Sequence, residues 1–210
     1  MKQVNGLSTR ETILHLLKTN GELSAKDLTE QLGLTGMAVR RHLESFESSG
    51  WITQRSVRQA MGRPTALYSL TEQAEHYFPK KYNSLALDLL GELGQESGDE
   101  MVNLLFDRRK ESMLSKYAPT MENKPLADKV AALAQIQNEN GYMVQWEQAS
   151  EDEFVLKEHN CPIADVANAY GHACNCELQL FRSLLNAEVS RTECLAKGDR
   201  RCEYRIKKTI

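Results

Sequence analysis

A fixed order of local signals in the first 70 residues restricts the fold more than any other feature of the chain. Isoleucine and leucine residues recur at helical spacing over residues 9–18. Ser24, with Asp27 three residues later, is typical of a capping box that begins a second helix. Thr35 then follows as a candidate N-cap for a third helix that extends to about residue 48. Two short helices joined by a glycine-containing turn, after one supporting helix, predict a helix-turn-helix.

The third helix has an apolar face and a polar face. Its apolar positions, which we expect in the core, are Val39, Leu43 and Phe46. The opposite face holds Met37 and Arg41, with Arg40 on its flank. A recognition helix places such a face in the major groove of DNA, where arginine binds guanine edges or phosphate. We therefore predict that the DNA contacts of this helix are made by Thr35, Met37, Arg40 and Arg41.

A β-hairpin is expected directly after the third helix. Residues 51–58 and 65–70 alternate as strands do, and the turn between them carries Gly62-Arg63-Pro64. Arg63 is thereby placed at the tip of a wing, where it is expected to enter a minor groove or contact phosphate. This order of elements resembles the winged-helix domain of the DeoR/ArsR-like bacterial repressors. The resemblance implies that residues 1–80 form a DNA-binding domain.

The charge distribution agrees with a DNA-binding N-terminal part. Residues 1–70 carry nine Lys/Arg and six Asp/Glu, whereas residues 71–210 carry seventeen Lys/Arg and twenty-three Asp/Glu. A basic N-terminal part followed by an acidic remainder is typical of a protein whose N-terminal part binds nucleic acid.

The middle of the chain, residues 81–140, is predicted to be a helical connector. Apolar residues there recur at i, i+3, i+4, i+7, i+8 and i+11, and they are Tyr82, Leu85, Ala86, Leu89, Leu90 and Leu93. Residues 94–98 are expected to break this helix, and residues 101–117 and 121–140 to form two more. Repressors of this kind read two half-sites as two-fold dimers. We therefore predict a homodimer with helix 82–93 in its interface, the alternative being that the stripe packs inside its own chain.

The last part of the chain, residues 141–210, has the pattern β-β-α-α-β-β. Alternating segments predict one hairpin around residues 142–156 and a second around the turn Lys197-Gly-Asp199. Between them, residues 163–170 and 177–185 have helical spacing. The fold class is therefore α+β: an N-terminal winged helix-turn-helix, a helical dimerisation connector and a small cysteine-rich sensor domain.

All five cysteines of the chain lie in this last part, at positions 161, 174, 176, 194 and 202. No apolar run approaches the roughly 18 residues of a membrane span. The N-terminus also lacks the apolar stretch of a signal peptide, so we expect a cytoplasmic protein. Clustered cysteines in that compartment are metal ligands or redox thiols more often than structural disulfides. Cys174 and Cys176 are predicted near a helix N-terminus, which favours the thiolate form.

The cysteine segments resemble those of SufR, a family of iron–sulfur cluster-sensing repressors of the operon for cluster assembly. The matching segments are Cys161-Pro-Ile-Ala, Cys174-Asn-Cys-Glu177-Leu, Arg191-Thr-Glu-Cys-Leu and Gly198-Asp-Arg-Arg-Cys202-Glu-Tyr. The resemblance implies that Cys161, Cys174 and Cys202 hold an iron–sulfur cluster, [4Fe–4S] in preference to [2Fe–2S]. Cys176 and Cys194 remain alternatives for the fourth ligand. His159, His172 and Glu188 are weaker candidates.

The resemblance implies a function as well as a fold. We expect a homodimeric repressor of iron–sulfur assembly genes that binds a palindromic operator in its cluster-loaded form. The alternative is a zinc-stabilised or thiol-redox-sensing winged-helix repressor without a cluster, because thiolate-rich sites also accept zinc. We find no Ser/His/Asp arrangement, phosphate loop or catalytically spaced acid pair, so no enzyme activity is expected.

Overall fold

The computed structural model of the protein describes residues 6–59 and 63–209. The chain divides into two compact units, residues 1–80 and residues 81–210. Both units combine helices with antiparallel sheet, which confirms the predicted α+β class. Within the described part of the chain, no helix is long and apolar enough to cross a membrane.

Among its described residues, the first unit has three α-helices and a small sheet. Its helices are α1 (Thr9–Asn20), α2 (Ala25–Leu32) and α3 (Gly36–Ser48). Its strands are β1 (Leu23–Ser24), β2 (Ile52–Val57) and β3 (Thr65–Leu70), in the order β1-β3-β2. The predicted hairpin is confirmed, because β2 and β3 pair antiparallel with Gln54 opposite Tyr68. Residues 60–62 of the wing, including Gly62, lie outside the described residues.

Local capping signals determine where these helices begin. Ser8 caps α1 and Ser24 caps α2, each through a complete capping box with an acidic residue three positions later. The hydroxyl of Thr35 caps α3 by accepting from the backbone N–H of Ala38 at 3.3 Å. The three predicted N-terminal helices are thus confirmed. Their shared core is formed by Ile13, Leu14, Leu17, Leu28, Val39, Leu43, Phe46 and Ile52.

In the part of the second unit that the structure describes, there are five α-helices and a four-stranded sheet. The helices are α4 (Tyr82–Ser97), α5 (Asp99–Tyr117), α6 (Leu126–Glu139), α7 (Ala164–Ala169) and α8 (His172–Leu185). The strands are β4 (Val144–Ser150), β5 (Glu153–Glu158), β6 (Glu188–Glu193) and β7 (Cys202–Lys207). The sheet is antiparallel in the order β4-β5-β7-β6. The predicted β-β-α-α-β-β order of the last 70 residues is confirmed.

Two apolar clusters hold the second unit together. The larger one joins α6 and α8 to the sheet, and the rings of Phe181 and Tyr204 lie 4.9 Å apart within it. Cys194 and Cys202 are buried members of this cluster. The smaller cluster lies between α4, α5, α7 and the start of α8. Its buried members are Val102, Phe106, Val166, Ala173 and Cys176.

Several predicted boundaries in the second unit are wrong. Helix α4 does not break at Gly94 but continues to Ser97, because an interior glycine weakens a helix by only about 1 kcal/mol. It ends at Gly98, whose φ of +79° suits glycine. Helix α6 begins at Leu126 rather than at residue 121, after Pro125. Helix α8 begins at His172, five residues earlier than predicted.

Candidate nucleic-acid interface and cysteine site

The exposed face of α3 carries the residues that the sequence predicts to contact DNA. Met37 is 84% exposed, and Arg40 and Arg41 are exposed. Thr35 is exposed as well, although its hydroxyl already caps the helix. None of the described residues forms an ion pair with Arg40 or Arg41. Both guanidinium groups are therefore available to a negatively charged partner.

The opposite face of α3 is fixed by an aromatic anchor. Phe46 is fully buried and stacks on Trp51, with ring centroids 6.0 Å apart and planes at 17°. The guanidinium of Arg10 lies 4.1 Å from the Phe46 ring centroid and donates to Ser45 Oγ at 3.0 Å. These contacts tie α3 to α1 and β2. They hold the helix at a defined rotation, so its arginines stay on the surface.

The wing brings a third arginine to the surface. Arg63 is exposed and directly precedes the exposed Pro64, two residues before β3. At the turn end of the hairpin, Gln59 Nε2 donates to Thr65 Oγ1 at 2.7 Å. Arg55 Nε donates to Glu22 Oε1 at 2.7 Å, which links the hairpin to the residue before β1. Arg55 thus forms an ion pair with Glu22, whereas Arg63 has no acidic partner among the described residues.

Strand pairing brings Cys161, Cys194 and Cys202 to one end of the four-stranded sheet. Cys202 is the first residue of β7 and lies opposite Glu158, the last residue of β5. Cys161 follows three residues after Glu158. Cys194 comes directly after β6, and the backbone N–H of the next residue, Leu195, points to Cys202 Sγ at 3.4 Å. These three cysteines therefore lie at the same end of strands β5, β6 and β7.

Cys174 and Cys176 lie on different sides of α8. Cys174 packs against the larger apolar cluster, which also contains Cys194 and Cys202. Its carbonyl oxygen accepts from Arg191 Nη1 at 2.9 Å, and Arg191 belongs to β6. Cys176 instead belongs to the smaller cluster between α5 and α8. The structure therefore places Cys174 in the same cluster as Cys194 and Cys202, and Cys176 in the other one.

Burial opposes ionisation of the thiols. It raises the pKa of Cys174 to about 11 and that of Cys202 to about 12, and it raises the pKa of Cys161 as well. A further cause is common to all three, namely the negative charge of a Cys194 thiolate. Cys194 is thus electrostatically close to each of the others. We name these four residues the cysteine group: Cys161, Cys174, Cys194 and Cys202.

The expectation that the start of α8 favours thiolates is wrong. Burial raises the pKa of Cys176 to about 11, as it does that of Cys174. Hydrogen bonding between the Cys176 thiol and the carboxylate of Asp107 adds to this rise. Desolvation therefore outweighs the favourable field of the helix N-terminus. A bound cation would be needed to hold these sulfurs as thiolates at neutral pH.

Two carboxyl groups lie beside the cysteine group, that of the buried Glu158 and that of the partly buried Glu177. Gln137 Nε2 donates to Glu158 Oε1 at 2.8 Å, and Tyr204 donates to Glu177 Oε2 at 2.9 Å. The other oxygen of Glu158 is buried and has no hydrogen-bond partner among the described residues. Burial raises the pKa of both carboxyl groups, and the charge of Glu177 raises the pKa of Glu158 further. Both acids next to the cysteines are therefore shifted towards the neutral form.

Comparison with known families identifies the N-terminal unit first. Residues 8–53 match the family described as winged helix-turn-helix DNA-binding. Together with the observed helices, hairpin and exposed arginines, this match makes the chain a DNA-binding regulator of the winged-helix class.

A second family covers most of the chain. Residues 59–206 match the family described as L-2-amino-thiazoline-4-carboxylic acid hydrolase, and the chain belongs to this family. The description names a hydrolase, whereas the catalytic patterns considered above do not occur in the sequence. No curated protein sequence matches the chain.

Solved structures with similarity to the chain include regulators and a sensory domain. Bacillus subtilis PadR in complex with operator DNA is 19% identical over 63% of this chain and 92% of its own, with a TM-score of 0.30. A MarR family regulator from Neisseria meningitidis is 22% identical over 55% and 80%, with a TM-score of 0.30. The phenol-responsive sensory domain of the transcription activator PoxR is 13% identical over 62% and 76%, with a TM-score of 0.44.

Proposed function

We propose that the protein is a homodimeric transcriptional repressor of iron–sulfur assembly genes whose DNA affinity depends on a cluster held by the cysteine group. The observation that carries this proposal is the convergence of Cys161, Cys174 and Cys202 on Cys194. The first three are the residues that the resemblance to SufR implies as ligands, and Cys194 is one of its two alternatives for the fourth. Cys176, the other alternative, packs on the far side of α8.

The spread of the four sulfurs favours a cluster over a single zinc ion. Four sulfurs bound at 2.3 Å to one tetrahedral ion lie only about 3.8 Å from one another. In the described part of the chain, just one set of three potential ligand atoms lies within 4.8 Å of one another, and it is outside the cysteine group. A larger inorganic core bridges sulfurs that are farther apart. When bound, such a cluster supplies sensitivity to oxygen and to iron supply.

The surroundings of the cysteine group also suit a cofactor that carries negative charge. Burial shifts Glu158 and Glu177 towards their neutral forms, which reduces the repulsion that their charged forms exert on the thiolates. Arg191 adds a positive charge beside Cys174. The four cysteines come from the loop after β5, from α8, from the end of β6 and from β7. A cofactor held by them joins four separate segments, and its loss would loosen all of them.

Operator binding is assigned to the arginines of the first unit. We propose that Arg40 and Arg41 contact the major groove and its phosphates, and that Arg63 contacts the flanking minor groove or phosphate. Their exposure and lack of acidic partners support this assignment. Two copies related by two-fold symmetry would read the two halves of a palindromic operator.

The dimer interface is assigned to the exposed stripe of α4. Tyr82, Leu85 and Leu89 are 71%, 55% and 63% exposed and lie at i, i+3 and i+7 of one helix. Ala86 and Leu90, in contrast, pack inward against the smaller apolar cluster. The apolar residues of α4 thus form two faces, one that packs inside the unit and one that is exposed. An exposed apolar row of this kind is typical of a helix that pairs with a copy of itself.

The experiment that tests this proposal compares DNA affinity with and without the cofactor. A duplex is first selected from a random-sequence pool with protein purified without oxygen. Its affinity is then measured by fluorescence anisotropy for the iron- and sulfide-loaded protein and for the chelator-treated protein. We expect the loaded form to bind at least tenfold more tightly. Equal affinities would contradict cofactor control while leaving the DNA-binding assignment intact.

Variants separate DNA contact from cofactor control in the same assay. Arg41→Ala should weaken binding by roughly 1–3 kcal/mol, the range for a bidentate base contact. Lys208→Ala is the matched control, because it removes an exposed positive charge from the second unit. Binding that is equal in Arg41→Ala and in the unchanged protein would contradict the assignment of α3 as the reading helix.

A second candidate function follows from the family description and from one cavity. A cavity of about 290 Å³ in the second unit is lined by residues that include Arg109, Lys116, Tyr117 and Asn140. Neither Arg109 nor Lys116 forms an ion pair with any acid in the described part of the chain. Such a cavity fits a small carboxylic acid, either as an effector or as a substrate for hydrolysis. Calorimetric titration with 2-amino-thiazoline-4-carboxylate tests this candidate, and Arg109→Ala should abolish any heat of binding.

A further inference from the structure

Three potential metal ligands meet between α5 and α8, away from the cysteine group. His172 and Cys176 are the first and fifth residues of α8, so their side chains lie on the same face of the helix. Asp107 reaches them from the middle of α5. Its Oδ2 lies 3.3 Å from His172 Nε2, and its Oδ1 lies 3.5 Å from Cys176 Sγ. All three ligand atoms lie within 4.8 Å of one another.

We propose that Asp107, His172 and Cys176 bind a single divalent transition-metal ion of the zinc type. Bonds of about 2.0–2.3 Å to nitrogen, oxygen and sulfur place the ligand atoms of a tetrahedral site roughly 3.3–3.8 Å apart. Both Asp107 distances lie within this range, but Oδ2 makes the one to His172 and Oδ1 the one to Cys176. Because one ligand atom from each residue lies within 4.8 Å of the others, a contraction of about 1 Å would close the three around an ion.

The ligand types and their spacing also fit such an ion. Imidazole, thiolate and carboxylate are the three ligand types of protein zinc sites. Two ligands four residues apart on one helix are the arrangement that zinc-binding helices commonly use. A lone acidic cluster would offer only oxygen, which calcium and magnesium prefer. The nitrogen, sulfur and oxygen ligands here favour an ion that is softer than calcium or magnesium.

The site is open on one side and closed on the other. Asp107 and His172 are partly exposed, so an ion can enter from solvent. Cys176 is buried against Val102 and Phe106, which fixes the position of its sulfur. Three protein ligands leave a fourth position free for water or for a small external ligand. An ion bound here would link α5 to α8, the helix that also carries Cys174.

One neighbouring cation competes for Asp107. Lys110 Nζ lies 3.3 Å from Asp107 Oδ1 and 3.0 Å from Gln179 Oε1. It also lies 3.7 Å from Glu111. Lys110 therefore keeps two other acceptors when Asp107 turns an oxygen to a metal ion. Replacement of Lys110 by methionine should strengthen metal binding, because it removes this competition.

Cobalt titration tests the proposal with a spectroscopic readout. Reduced protein without iron is titrated with Co²⁺ under argon, and absorption is recorded in the visible and near-ultraviolet ranges. Binding with a sulfur ligand gives visible ligand-field bands and a near-ultraviolet charge-transfer band. We expect these bands at about one equivalent in the unchanged protein and in Cys194→Ser. They should be lost in Cys176→Ser and in His172→Gln.

The same titration contains the results that would overturn the proposal. Bands that disappear in Cys194→Ser and persist in Cys176→Ser would place the ion in the cysteine group instead. Absence of cobalt binding in every variant would leave the three residues as a hydrogen-bonded contact between helices. Glu100→Gln serves as the control, because it removes an exposed acid from the first turn of the same helix, away from the site. Far-ultraviolet circular dichroism shows whether each variant is folded, and neither result depends on iron or on DNA binding.

Discussion

Replacement of Phe46 by alanine should nearly unfold the DNA-binding unit. Removal of a buried phenylalanine costs about 3–5 kcal/mol through lost transfer energy and the cavity left behind. Phe46 is fully buried, and it also stacks on Trp51 and lies under the guanidinium of Arg10. Such contacts contribute about 0.5–1.5 kcal/mol for the aromatic pair and about 0.5–1 kcal/mol for the cation. We therefore expect a loss in the upper half of the range, about 4–5 kcal/mol.

The two tryptophans of the chain allow this loss to be measured in the correct unit. Trp51 belongs to the first unit and Trp146 to the second. In a Trp146→Phe background, urea unfolding followed by fluorescence reports on the surroundings of Trp51 alone. Met37→Ala on the same helix is the control, because Met37 is 84% exposed and its loss should change stability by less than about 0.5 kcal/mol. A cost below about 2 kcal/mol for Phe46→Ala would refute the proposed role of this anchor.

Three further predictions concern the first unit. Ser24→Ala should cost about 1 kcal/mol in urea unfolding, because it removes the capping box that Ser24 forms with Asp27 at the start of α2; an unchanged midpoint would contradict it. Hydrogen bonding to Lys18 holds the pKa of Glu75 at about 2, below its ordinary value of 4.5. The stability that this ion pair contributes is therefore present above pH 4.5 and is lost as the pH falls towards 2. Thermal unfolding of Glu75→Gln should therefore depend less on pH across this window, and an identical slope would exclude the ion pair as its cause. Arg41→Ala should reduce the salt dependence of operator binding if Arg41 also contacts phosphate, and an unchanged slope would restrict it to base contacts.

The N-terminal fold could be predicted because its signals are local. Ser24 and Thr35 cap their helices through side-chain contacts within three residues, and those residue types are visible in the sequence. The buried face of α3 follows from helical spacing alone. Besides the small helical cost of glycine, the error at Gly94 involves tertiary packing. Val102 Cγ2 would lie 3.7 Å from a Cβ at Gly94, so this glycine lies where α4 packs closely on α5.

The cysteine site could be predicted only in part. Cys174 and Cys176 are two residues apart on a helix, so their side chains point about 200° apart and cannot both face one site. From this spacing alone, the sequence could predict that at most one of the two cysteines belongs to the site. The position of Cys194 relative to Cys202 depends on the turn after β6, and helical or strand periodicity does not determine a turn. The Asp107 contact with α8 was equally inaccessible, because it joins residues 65 positions apart.

The most direct test of the central claim is the iron and sulfide content of three proteins purified without oxygen, read together with their absorption spectra. The unchanged protein and Cys176→Ser should be brown, with equal amounts of iron and sulfide and broad absorption in the visible range. Cys194→Ser should have lost most of both elements. A colourless unchanged protein that refuses reconstitution with iron and sulfide would contradict the claim, and so would a cluster that survives in Cys194→Ser but is lost in Cys176→Ser.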